Sequence, residues 1–124
     1  MTQPLTLLLY ERLLPGGQLV NRLQDLGYRV QVVAEAGSLG ELARREKPLL
    51  LLADLESSQN QVCHAIASLK KESETSHIPI IAFGGEINNE LQEAARAAGA
   101  DLVVTDNAIL AHLSQFLDQA LHVE

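Results

Sequence analysis

Asp54 closes an apolar run, Pro48-Leu49-Leu50-Leu51-Leu52-Ala53, and this setting makes its carboxylate the first group in the chain with chemical prospects. A run without polar alternation is how a strand buried on both faces reads. Such strands lie in the middle of parallel sheets, and ligands there sit beyond the strands' carboxyl ends. Glu11 follows the first apolar run of the chain. Several carboxylates meeting at one edge would hold a divalent cation or raise one another's pKa. The competing role for Asp54 is a strand-end carboxylate that caps the next turn.

Other chemistry is weakly signalled. Gly16-Gly17 and Gly84-Gly85 each precede a helical pattern, a position where backbone amides can cradle an anion. Neither stretch forms a Gly-x-Gly-x-x-Gly or Walker pattern, and Glu86 already offers a carboxylate to its helix start, so both pairs read as turns. Cys63 and His64 are adjacent and diverge on a helix, and His77, His112 and His122 lack ligand spacing. No Gly-x-Ser-x-Gly elbow exists for a serine nucleophile.

The elements that position these groups must be built from aliphatic residues, since 47% of the 124 residues are hydrophobic and only 3% aromatic. One domain, 1–124, is expected at this length. The formal net charge of −7 disfavours nucleic acid and anionic membrane, and no basic patch offsets it. Arg44, Arg45 and Lys47 are flanked by Glu41 and Glu46, and Lys70 and Lys71 by Glu72. A lone cysteine excludes an intramolecular disulfide. Glu11 and Arg12 interrupt the first apolar run too early for a signal peptide, and no run reaches membrane-spanning length, so a cytoplasmic protein is expected.

Along the chain, residues 5–10 predict a first strand, and Pro15-Gly16-Gly17 a turn before a helix over 18–26 that Gly27 stops. Val30, Val32 and Val33 mark a second strand over 28–34. Ser38 and Glu41 fit a capping box for a helix to Glu46, after which Pro48 opens the central strand. Val62, Ile66 and Leu69 share a helical face that frays into 72–76. A fourth strand over 78–83, a helix ended by Gly99, a short strand over 102–104 and one sustained apolar helix over 109–121 complete five strand-then-helix units. That alternation argues for a parallel sheet with helices on both faces.

Read in this order, the chain resembles a response-regulator receiver domain, the phosphoacceptor module of two-component signalling. The resemblance rests on Gly27-Tyr28 at the second strand, on Pro48 to Asp54, on Ser76-His77-Ile78-Pro79-Ile80-Ile81, and on Ala98-Gly99-Ala100-Asp101. It implies a flavodoxin-like three-layer α/β sandwich, a five-stranded parallel sheet of order 2-1-3-4-5 with five helices. It also implies a phosphoacceptor at Asp54. The family's acidic pair falls on Tyr10 and Glu11, so that Glu11 and Asp54 would be the metal ligands. Its Ser/Thr position falls on Gly84, its lysine on Asp106 and the following proline on Asn107.

Missing lysine and hydroxyl together are the pattern of a pseudo-receiver. The expected function is a stand-alone, non-catalytic signalling module that works through protein contacts. No cofactor is required and Mg2+ is admissible; a homodimer is allowed. Receivers commonly use the face of the fourth helix, fifth strand and fifth helix, which places Leu110 and Phe116 at the expected interface. Two alternatives stand beside this: a genuine receiver phosphorylated on Asp54 with Mg2+, and a binder of small ligands or nucleotides at the strands' C-terminal edge.

Overall fold

The computed structural model describes residues 4–10, 13–33, 36–55, 62–84 and 89–121. Five apolar segments form parallel strands: β1 (Leu5–Leu9), β2 (Arg29–Val33), β3 (Leu50–Asp54), β4 (Ile80–Gly84) and β5 (Leu102–Thr105). They assemble into one flavodoxin-like sheet of order β2-β1-β3-β4-β5. Every residue of β1, β3 and β4 is buried, which accounts for their predominantly apolar content; Thr6 and Asp54 are the polar residues among them. Leu7 pairs with Gln31 on one side and Leu51 on the other, and Ile81 joins Leu52 to Leu102.

The helices are α1 (Leu13–Asp25), α2 (Leu39–Glu46), α3 (Val62–Lys71), α4 (Asn89–Ala98), α5 (Asp106–Ala111) and α6 (Leu113–Leu121). Strand alternation divides the core into two layers. Leu7, Leu9, Leu51, Ala53, Ile80 and Ala82 meet Leu39, Ala43, Ile66, Leu69 and Ala95 of α2, α3 and α4. Leu8, Leu50, Leu52, Ile81 and Phe83 meet Leu19, Leu23, Ile109, Leu113 and Leu117 of α1, α5 and α6.

Four local expectations are corrected. Pro15, Gly16 and Gly17 lie inside α1, which starts at Leu13. In a first turn the amides have no intrahelical partner, so proline's missing N–H costs little there. Ser38 makes no capping bond; it is already helical (φ −86°, ψ −11°), because a 3-10 turn over Ala36–Ser38 leads the chain into α2. The last helix is two, which brings the α-helices among the described residues to six. His112 (φ −127°, ψ 31°) separates α5 from α6, yet Ile109, Leu113 and Leu117 stay on the core side, so the apolar stripe runs through the break unmarked.

Residues 72–76 are ordered rather than frayed. Thr75 is buried and its Oγ1 donates to Leu69 O at 2.7 Å, while the amides of Thr75 and Ser76 donate to Glu72 O. Beside this turn, Lys70 Nζ donates to Ile78 O (2.9 Å), Ser76 O (3.3 Å) and Asp101 Oδ2 (2.8 Å). Asp101 Oδ2 also accepts from Ile80 N at 2.8 Å, tying α3 to the starts of β4 and β5.

Candidate functional site

The carboxyl ends of the strands bring the sequence-selected residues to one edge. Leu9 pairs with Ala53, so Tyr10 and Asp54 are the next residues on neighbouring strands; Asp54 pairs with Phe83, and Gly84 with Thr105. The ladder continues past Asp54, with Leu55 N donating to Phe83 O at 2.8 Å. Tyr10 N donates to Val33 O at 3.2 Å, which holds the chain to β2 where β1 ends.

Asp54 is 0% exposed, as is Phe83 beside it. Tyr10 and Val104 are half-buried and pack on the same core layer as Phe83. The central carboxylate thus ends a buried strand, paired in register with Phe83. A Mg2+ site needs several oxygen ligands. Among the described residues no group of three or more His, Cys, Asp or Glu is placed to hold a metal. Tyr10 puts a phenol where the resemblance asks for a carboxylate, and Glu11 lies outside the described residues. The described residues therefore do not make up a cation site.

Asp106 is the first residue of α5. A carboxylate in a first helical turn is favoured by the helix dipole. Thr105 precedes it in an extended conformation (φ −86°, ψ 163°) and caps the helix, its Oγ1 accepting from Ala108 N at 3.1 Å. Capping by Thr105 is a role that sequence reasoning missed, although a threonine just ahead of a helix is its ordinary signal. The position of Phe83 against Asp54 had no signal, because cross-strand register is not written in either segment.

Leu110 and Phe116 are half-buried and pack on the layer under α1, α5 and α6. The Phe116 ring meets His112 edge-on, 6.3 Å between centroids and 88° between planes, across the break between the two helices. Among the described residues, cavities lie away from the carboxyl ends of the strands. One, about 460 Å³, opens between α1 and the α5–α6 junction and is lined by Arg22, Asp25, Leu26, His112, Ser114 and Gln115. Another, about 470 Å³, lies at the opposite edge of the sheet against Pro4, Lys47, Pro48, Leu49, His77 and Pro79.

No protein-family model and no curated protein matches the chain. Solved structures do. The receiver domain of a sensor histidine kinase from Pseudomonas aeruginosa, with magnesium coordinated in its active-site cleft, superposes with a TM-score of 0.85 at 21% identity, over 97% of this chain and 98% of that one. A protein assigned as a response regulator from Chloroflexus aurantiacus gives 0.87 at 16% identity over 97% and 98%. The BeF3-activated N-terminal receiver domain of a Klebsiella pneumoniae protein gives 0.82 at 18% over 96% and 99%. With the 2-1-3-4-5 order and the Asp54 edge already in place, these likenesses identify the fold: the chain has the architecture of a response-regulator receiver domain.

Proposed function

We propose that this chain is a pseudo-receiver, a cytoplasmic signalling module that binds other proteins and neither catalyses a reaction nor works by phosphoryl transfer. The observation that carries this reading is the edge around Asp54. The carboxylate is buried beside Phe83; the position to which the resemblance assigns the hydroxyl is Gly84, paired with Thr105, and the one to which it assigns the lysine is Asp106, at the head of α5.

Electrostatics gives the substitution its weight. Two unit charges about 4 Å apart interact by roughly 1 to 4 kcal/mol between bulk water and a protein surface. With an ammonium that energy assists a phosphoryl group; with a carboxylate it opposes one. Gly84 also lacks the side chain with which receivers would read the modified aspartate.

Titration of the chain with Mg2+ and beryllofluoride, followed through backbone amide shifts, tests the proposal. A flat response is expected at Asp54, Gly84 and Asp106. Saturable shifts confined to those residues would overturn it in favour of a working receiver, the rival suggested by the place of Asp54 at the end of β3 and by the magnesium and BeF3 in the two bacterial domains.

A further inference from the structure

We infer that the cavity beneath the amino ends of β1, β3 and β4 is a binding site for a small monocarboxylic acid with an apolar body. About 470 Å³ in volume, it lies where Pro4 leads into β1, Lys47 to Leu49 lead into β3 and Pro79 leads into β4, with His77 also lining it. That size falls within the range of small-molecule pockets. Asp54 closes the other end of β3, so the inference stands whichever way the phosphoryl question is answered.

The walls are apolar and short of backbone donors. Pro4, Pro48 and Pro79 have no N–H, and Leu49 N is committed to Leu5 O at 2.9 Å. Leu49 is 45% exposed between two buried neighbours, Pro48 and Leu50, which leaves an aliphatic side chain to be covered. One backbone donor is left over. Tyr10 N donates to Val33 O, which sets the even-numbered amides of β1 on the β2 side and the odd-numbered ones on the β3 side. Leu5 N therefore points toward the entry of β3, and among the described residues neither Lys47 O nor Pro48 O accepts from it.

To this lining the chain adds two polar side chains and no acid. Lys47 and His77 are its ionisable residues, in a chain whose formal net charge is −7. Neither side chain makes an ion pair or a hydrogen bond among the described residues, whereas Glu46, next to Lys47, is bonded to Arg45 at 3.1 Å. Lys47 is also the one non-glycine residue with positive φ among the described residues (φ 50°, ψ 60°), at the C-terminal cap of α2 where glycine is the usual occupant. Backbone strain of this kind gathers at ligand sites, where a particular side chain is needed. A carboxylate is the acceptor that Lys47 Nζ, the His77 ring and Leu5 N lack, and a hydrocarbon body covers Leu49 and the proline rings. Phosphate or sulfate would match the charge but leave the apolar wall exposed.

Naphthalene-2-carboxylate titrated into the full chain tests this, with naphthalene-2-carboxamide as the uncharged counterpart and acetate as the carboxylate without a body. Saturable amide shifts are expected at Leu5, Lys47, Leu49 and His77. The carboxamide should bind about tenfold more weakly, the scale of one hydrogen bond to a charged group, and acetate should give no saturable shift. Lys47→Gly is expected to lose about tenfold in affinity while its melting temperature rises, because glycine takes positive φ without strain; Lys47→Arg should bind as the wild type does. Binding and stability moving in opposite directions separates a ligand role for Lys47 from a structural one. If Lys47→Gly fails to fold, the acid and carboxamide compared on the wild-type chain decide the matter. Equal affinity for the two, undiminished binding by Lys47→Gly, shifts centred on the cavity at Arg22 and His112, or no saturable shift at all would each overturn the proposal.

Discussion

Among the described residues, burial moves the ionisation of Tyr28 and Cys63, and in both it stabilises the neutral form. Tyr28 is held above its ordinary value of 10.0, first by burial and second by the Asp118 carboxylate, and the Cys63 thiol is pushed up by burial alone. For Tyr28 the folded chain retains a proton that the unfolded chain releases near its ordinary pKa. Its stabilising contribution is therefore complete below about pH 10 and is lost as pH rises through the folded value. Asp118→Asn is expected to lower the Tyr28 titration midpoint, read from phenolate absorbance. Tyr28→Phe should flatten the alkaline decline in melting temperature. At the site, Asp54 was legible because a carboxylate ending an apolar run is conspicuous. Gly84 and Asp106 were legible only through motif spacing, since nothing local distinguishes them from turn and helix-start residues.

Elements were legible where a single physical rule sets them. Three buried strands wrote themselves as predominantly apolar runs, and Gly99 ended α4 as expected, with φ at 112°. Sequence could not show that Gly99 also closes against Lys70: a β-carbon there would lie 2.9 Å from Lys70 Cγ. Gly99→Ala is expected to cost about 1 to 3 kcal/mol, through positive φ and this contact together, measured by denaturant unfolding. The Lys70–Asp101 bridge was hidden for a different reason, as it spans 31 residues of sequence. The start of α1 and the break at His112 were missed because propensity rules weigh Pro-Gly-Gly as a turn and see a continuous apolar stripe as one helix, while packing of Leu19, Leu23, Ile109 and Leu113 decides otherwise.

At the scale of the whole molecule, β1 and β3 lie between neighbours on both sides, so folding must close non-local crossovers before the most apolar segments are paired. In the unfolded chain Leu5–Leu9, Leu50–Asp54 and Ile80–Gly84 are short, β-prone and nearly uncharged, the composition that promotes aggregation. Each is preceded within two residues by a proline, Pro4, Pro48 or Pro79, and the three line the cavity beneath the sheet. In the native state these prolines give up little, since Pro4 O and Pro79 O still accept from Arg29 N and Leu51 N. Before folding they act as gatekeepers, because a residue without an N–H cannot extend an intermolecular ladder. Pro48→Ala combined with Pro79→Ala is therefore expected to leave the folded sheet intact yet raise light scattering during concentrated refolding, which makes the floor of this sheet a guard on the chain's solubility while it is still unfolded.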